Sequence, residues 1–99
     1  MAAADFSQAI RLKPKSDLAY FQRGRSHVCL RQYRHAVEDF SQTICLNKKY
    51  HSAYFVRGLT YQYIFKNRHK AIADYRAAYR LQPQNEKYAA KLRELGATP

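Results

Sequence analysis

Asp5-Phe6-Ser7-Gln8-Ala9-Ile10-Arg11-Leu12 returns 34 residues later as Asp39-Phe40-Ser41-Gln42-Thr43-Ile44-Cys45-Leu46. It returns again, now 35 residues on, as Asp74-Tyr75-Arg76-Ala77-Ala78-Tyr79-Arg80-Leu81. A second segment keeps the same period: Ala19-Tyr20-Phe21-Gln22-Arg23-Gly24 is echoed by Ala53-Tyr54-Phe55-Val56-Arg57-Gly58. Two independent segments sharing one period mark an array of supersecondary units, each too small to bury its apolar face alone. Gly24 to Ala36 spans 12 residues and Gly58 to Ala71 spans 13, so the last unit carries one extra residue in the turn around Phe65–Arg68.

Each unit reads as two helices. Leu18–Leu30 and Ser52–Phe65 form the first of each pair; Tyr33–Leu46 and His69–Leu81 form the second, with Ala36, Phe40, Thr43 and Ala71, Tyr75, Ala78 at helical i, i+4, i+7 spacing. Asp17 is the expected N-cap of the first of these helices. Pro14 and Pro83 end helices at equivalent places, and Lys48 stands where the middle unit lacks its proline. Gly24 is expected to face Ala36, and Gly58 to face Ala71, letting the helix axes approach closely. Tyr20, Phe40, Tyr54, Tyr61 and Tyr75 then fill the space beside each contact. Asn85–Gly96 sets Tyr88, Leu92 and Leu95 on one stripe, the pattern of an amphipathic cap stopped by Gly96. Ala2–Lys13 matches the second helix of a unit without its first, with Phe6, Ile10 and Leu12 expected on the following helix.

Tyr20, Gly24, Ala36 and Phe40, then Tyr54, Gly58, Tyr61, Ala71, Tyr75, Ala78 and Pro83, resemble the signature of the tetratricopeptide repeat family. Arg23 and Arg57 replace the usual leucine, His27 a tyrosine, Thr43 an alanine and Lys48 the proline. The resemblance implies an all-α fold, a right-handed α-α superhelix of helix-turn-helix repeats with a C-terminal capping helix. The expected layout is a single domain over 1–99: residues 2–16 the second helix of an incomplete first repeat, 17–50 a repeat, 51–84 a repeat with the turn insertion, and 85–96 the cap.

Composition bounds the function. The chain has 99 residues, enough for one small domain, and 46% are hydrophobic, which argues against disorder. No apolar run approaches the roughly 20 residues of a membrane-spanning helix, and no signal peptide is visible at Met1–Ile10. Two cysteines without C-x-x-C spacing favour a reducing compartment, so a cytoplasmic location is expected and a nuclear one stays open. His27 is expected to be a buried, satisfied imidazole, His35 and His69 to be exposed, and His51 to open a helix. None has a nucleophile or carboxylate at a spacing that suggests a triad or a metal site, so no enzyme, cofactor or metal is expected.

The resemblance also implies where a partner would sit. The groove positions fall on Leu18, Phe21, Arg25 and Cys29 in the middle unit, and on Ser52, Phe55, Leu59, Gln62 and Tyr63 in the last. Phe55, Leu59 and Tyr63, four residues apart, form an apolar stripe on a helix that is apolar nearly all round. A partner's peptide or amphipathic helix is the expected ligand of this protein–protein interaction module, with Arg25 as an anchor for an acidic group. The family's clamp for a terminal carboxylate is not assembled, since Phe21, Arg25 and Val56 stand at its places; its asparagine ladder is replaced by Gln22 and Val56. A homodimer through the incomplete first repeat is a further expectation.

The net charge is +11, with nine basic and four acidic residues in 1–50 and nine and three in 51–99. Arg31 and Arg34 at one turn, and Lys66, Arg68 and Lys70 at the next, read as a basic edge. It is a solvated surface, a site for acidic proteins, or a site for nucleic acid. Most tyrosines fall at packing positions, which leaves few rings for base stacking and makes nucleic acid the alternative reading.

Overall fold

The computed structural model describes residues 3–98, and these hold six α-helices and no strand. They are α1 (Ala3–Leu12), α2 (Asp17–Cys29), α3 (Tyr33–Leu46), α4 (His51–Tyr63), α5 (Arg68–Leu81) and α6 (Glu86–Glu94). Residue 2 of the expected first helix, and residues 1 and 99 of the expected domain, lie outside the described residues. The chain divides into two compact units between Lys48 and Lys49.

In the first unit, α1 and α3 pack against α2. Ser16, not the expected Asp17, is the N-cap of α2: its hydroxyl accepts from the Ala19 amide at 3.2 Å. Serine one residue earlier satisfies the free amide, and Asp17 is left to bond elsewhere. Its carboxylate accepts from the Leu18 amide and from Asn47 Nδ2, at 2.8 and 2.9 Å, while Thr43 Oγ1 donates to the Asp17 carbonyl at 3.2 Å. Asn47 and Thr43 thus tie the end of α3 to the start of α2 at the junction that lacks proline. Phe6 is buried on α1, whereas Leu12 is 73% exposed and does not join it as expected. Leu12 is the last residue of its helix, where the chain turns away.

Ala19, Phe21, Ala36, Phe40 and Ile44 make the core of this unit. The atoms nearest to Gly24 belong to Phe40 and Asp39. A Cβ on Gly24 would stand 2.6 Å from Phe40 Cε1 and 3.2 Å from Asp39 Cβ. Ala36, fully buried one turn earlier, sits on the same face of α3 as Phe40. The Phe40 ring is fully buried, a burial worth about 1.5–3 kcal/mol.

The second unit repeats the device. A Cβ on Gly58 would meet Tyr75 Cε1 at 2.7 Å and Asp74 Cβ at 3.2 Å. Tyr75, Ala71 and Leu92 are fully buried and gather Phe55, Leu59, Tyr61, Ile72, Tyr79 and Leu95 around them. The hydroxyl of Tyr75 donates to Gln62 Oε1 at 2.7 Å, and burial holds its pKa well above the ordinary tyrosine value. Asn67 caps α5 and Asn85 caps α6 through their side-chain oxygens.

The helix ends show where the two units differ in length. After α2, Gln32 N–H bonds the His27 carbonyl at 2.8 Å; after α4, Asn67 N–H bonds the Tyr61 carbonyl at 2.8 Å. The first closure spans five residues and the second six, which places the inserted residue in the α4–α5 turn. Both turns pass through a left-handed residue, Arg31 (φ 60°) and Lys66 (φ 54°), and α6 ends on Gly96 (φ 70°). Only the last of the three is glycine, the residue that adopts this conformation without steric cost.

Candidate functional site

Arginine precedes each of the two notch glycines, and both arginines are held by the following helix. Arg23 Nε and Nη2 donate to the two carboxylate oxygens of Asp39 at 2.9 and 2.6 Å. Arg57 does the same to Asp74 at 2.8 and 2.7 Å. These forked pairs are strong and directional. Asp39 raises Arg23 above the ordinary arginine value through its hydrogen bond. For Arg57 burial works against the charge, but the bond and charge of Asp74 outweigh it. Burial pushes the Asp74 carboxyl up, and Arg57 pulls it back only in part. The guanidinium of Arg23 lies over Tyr20, and that of Arg57 over Tyr54 and Tyr61, at 5.5–5.9 Å from the ring centres. Arg23 and Arg57, which depart from the family signature, are therefore packing residues. The signal was present in the sequence, since Asp39 and Asp74 repeat along with them.

His27 is half-buried and satisfied, its Nδ1 2.7 Å from Gln32 Oε1 and its Nε2 3.4 Å from Asp39. His35 and His69 are exposed. His51 begins α4, with Nδ1 2.6 Å from the Tyr88 hydroxyl. Among the described residues no group of three His, Cys, Asp or Glu could hold a metal ion. Both cysteines are free and exposed.

The predicted groove residues fall on the two units. On α2, Leu18 is 51% exposed, and Arg25 and Cys29 are exposed. Phe21 lies beneath them, buried against Phe40 with ring centres 5.8 Å apart, and the Arg25 guanidinium lies 5.9 Å from its ring centre. Arg25 and Cys29 also line a cavity of about 380 Å³ with Gln22, Ser26 and Phe6 of α1.

On α4 the corresponding residues meet α5 and α6. Burial pushes the Tyr88 hydroxyl up, and the neighbouring Ser52 offsets that push in part. Phe55 packs between Tyr75 and Tyr88, with ring centres at 5.7 and 4.8 Å. Leu59 joins the Ala71–Tyr75–Leu92 cluster. Gln62 Nε2 donates to Glu94 at 2.9 Å. Lys91 Nζ donates to the Tyr63 hydroxyl at 2.6 Å and lies over its ring. The Tyr63 bond raises Lys91, and the Gln62 bond followed by the Lys91 charge lowers Glu94. The sequence marked α6 as a cap; what its stripe pattern left unstated is that Lys91 and Glu94 would clip it to the end of α4.

The basic residues Arg31, Arg34, Lys66, Arg68 and Lys70 are all exposed. Arg68 is engaged with the Leu95 carbonyl, and the Lys70 ammonium lies 5.3 Å from the centre of the Tyr61 ring. Arg31 and Arg34 stand at the turn of the first unit; Lys66, Arg68 and Lys70 stand at that of the second.

The tetratricopeptide repeat profile matches residues 51–85. Those residues form a tetratricopeptide repeat. No curated protein matches the chain, but solved tetratricopeptide repeat (TPR) structures do. The first TPR domain of Spaghetti (RPAP3), solved with the HSP90 peptide SRMEEVD, superposes with a TM-score of 0.87 at 21% identity, covering 95% of this chain and 74% of that one. The TPR domain of Arabidopsis OM64 gives 0.86 at 26% identity, covering 94% and 76%. MamA gives 0.81 at 23% identity over 87% of this chain, which spans half of MamA. The fold of the chain is thus the all-α helical repeat of TPR domains, with α2–α3 and α4–α5 as its helix pairs. No helix among the described residues is long and apolar enough to cross a membrane.

Proposed function

We propose that the chain is a non-catalytic protein-interaction module that holds a peptide or amphipathic helix of a partner on the first helices of its repeats. The observation that carries this reading is the α2 face. Leu18, Arg25 and Cys29 are exposed above the buried Phe21 and beside an open cavity, while the opposite face of α2 is committed to Phe40 and Asp39. Leu18 and the Cys29 thiol beside one cation suit a segment that pairs an apolar side chain with a single acidic anchor. The peptide held by the Spaghetti domain supports peptide binding by this fold, although Phe21, Arg25 and Val56 give this chain a different binding chemistry. Ser52, Phe55, Leu59, Gln62 and Tyr63 form the corresponding α4 face, which α6 engages from within its own unit. A cytoplasmic setting accords with the two free cysteines.

The test is a pull-down with the parent and the Leu18→Ser/Arg25→Glu variant side by side, each shown to melt alike. Both positions are exposed, so the variant keeps the core. Partners that bind the parent, survive moderate salt and vanish with the variant bear the reading out. Identical capture by both proteins overturns it.

One observation favours a second reading, a site for nucleic acid or another polyanion. Arg31 and Lys66 adopt left-handed backbone where glycine would be unstrained, so each basic side chain is kept at a cost of roughly 1–2 kcal/mol. That reading predicts binding that falls with salt at a logarithmic slope of about −0.9 per neutralised duplex phosphate. A flat titration with duplex DNA or RNA rejects it.

A further inference from the structure

One two-residue step is written three times in this chain and is matched by a partner helix twice. Asp39-Phe40 on α3 receives Arg23 on its carboxylate and Gly24 against its ring. Asp74-Tyr75 on α5 receives Arg57 and Gly58 in the same way. Asp5-Phe6 on α1 is the first copy of the step, at the same period. Within the first unit α1 packs on α2, and Arg23 of α2 reaches it through Ser7 Oγ, at 3.2 Å. No Arg–Gly step of the described residues lies on Asp5-Phe6. Asp5 is exposed, and no ion pair among the described residues includes it. Phe6 forms one wall of the cavity of about 380 Å³, and Gln22, Arg25, Ser26 and Cys29 of α2 form the other.

We propose that this cavity is the seat of an amphipathic helix, supplied by another protein, that carries an Arg–Gly step. Its arginine meets the Asp5 carboxylate and its glycine meets the Phe6 ring. Glycine is required for the reason seen at the other two copies, where a Cβ would fall 2.6–2.7 Å from the ring. A second copy of this chain is a poor donor, because both of its Arg–Gly steps are already engaged by Asp39 and Asp74. General charge attraction does not explain such a complex. A basic helix approaching a chain of net charge +11 is repelled overall and is held only locally at Asp5. The proposal rests on reading the α2 face as a partner-binding face, and it names the chemistry of the partner at the α1 end.

The probe is a labelled peptide with the sequence of residues 16–34, Cys29 replaced by serine, titrated against the full chain by fluorescence polarisation. A single charge reversal, Asp5→Arg in the protein or Arg23→Glu in the peptide, is expected to weaken binding by roughly tenfold or more, and the two together to restore it. Because a short peptide is only marginally helical, the same segment is also fused directly before Met1. There its Arg–Gly step stands 16 residues ahead of Asp5-Phe6, the spacing that Arg23-Gly24 keeps from Asp39-Phe40. The fusion is expected to melt higher than the parent and to lose that gain on Asp5→Arg. Binding that Leu18→Ser/Arg25→Glu abolishes but the charge exchange leaves unchanged overturns the proposal and leaves the α2 binding face standing. A peptide that does not bind, with a fusion that melts no higher, overturns the proposal at once; loss of the α2 face itself is read separately, from the pull-down.

Discussion

Replacing Arg57 with leucine removes one half of a forked ion pair while keeping much of the side-chain bulk. The pair is well enclosed: the Asp74 side chain is 6% exposed and that of Arg57 19%. Removing one partner of a fully buried pair costs about 3–5 kcal/mol, because the other charge is left without compensation. The partial exposure of Arg57 puts this case at the low end, about 3 kcal/mol, including the contacts of the guanidinium over Tyr54 and Tyr61. For a chain of this size that is a fall of roughly 10–20 °C in melting temperature. The double variant Arg57→Leu/Asp74→Leu leaves no buried charge and is expected within about 1 kcal/mol of the parent. Acid gives an independent check. Burial already holds the Asp74 carboxyl above its ordinary value, and loss of the guanidinium pushes it further up. A carboxyl raised on folding destabilises when ionised and is relieved as pH falls through its folded pKa, so the deficit of Arg57→Leu shrinks on acidification from neutral pH. Urea titrations of the parent, single and double variants at pH 7 and pH 5 read all of this. A single variant as stable as the double, at both values, refutes the reasoning. Arg23→Leu is the milder counterpart, since Asp39 keeps His27 Nε2 at 3.4 Å.

Lys66→Gly is expected to raise stability by about 1 kcal/mol, by relieving the left-handed backbone at φ 54°; chemical denaturation measures it, and a loss would mean that the lysine side chain holds the turn. The docking of α6 is expected to weaken at both ends of the pH scale. Glu94 is lowered on folding, so its contribution is present above its ordinary 4.5 and is lost as pH falls through the folded value. Lys91 is raised, so its contribution is present below its ordinary 10.5 and is lost as pH rises through the folded value. The Leu92 and Tyr88 resonances report the loosening directly, and Glu94→Gln is expected to abolish the acid limb.

The order of the helices was legible because the residues that carry the period each have a physical reason to recur. Glycine stands where an aromatic ring lies against the helix, alanine where the helix face is fully buried, and proline just after a helix stops. The identity of the touching pairs was less so. Small residues at Gly24 and Ala36 signal a close approach, but they do not say that the Phe40 ring, one turn further along the same face of α3, fills the space that the absent side chain leaves. Arg23 and Arg57 looked like departures from a signature when taken alone. Their meaning needed Asp39 and Asp74, which repeat at nearly the same interval on the next helix. The Phe55–Leu59–Tyr63 stripe was visible as surplus apolar surface, yet periodicity does not say what covers a stripe. In this unit Tyr88, Lys91 and Leu92 of α6 approach it, which follows from tertiary packing rather than from spacing. The left-handed Arg31 and Lys66 left no trace in the sequence, because basic residues at a helix end are ordinary and only the backbone angle sets them apart.

The most direct test of how these repeats are built is the double-mutant cycle of Gly58→Ala with Tyr75→Leu, read as unfolding free energy. With Tyr75 present, the added methyl stands 2.7 Å from a fully buried ring, and overpacking of about 1–3 kcal/mol exceeds the roughly 1 kcal/mol that alanine gains over glycine in a helix. With leucine in place of the ring the 2.7 Å contact is removed while Asp74 Cβ stays at 3.2 Å, so Gly58→Ala is expected to cost at least about 1 kcal/mol less in the Tyr75→Leu background than in the parent. If the two substitutions are additive to within about 0.5 kcal/mol, the ring does not set the approach of α4 to α5, and this account of the repeat is wrong.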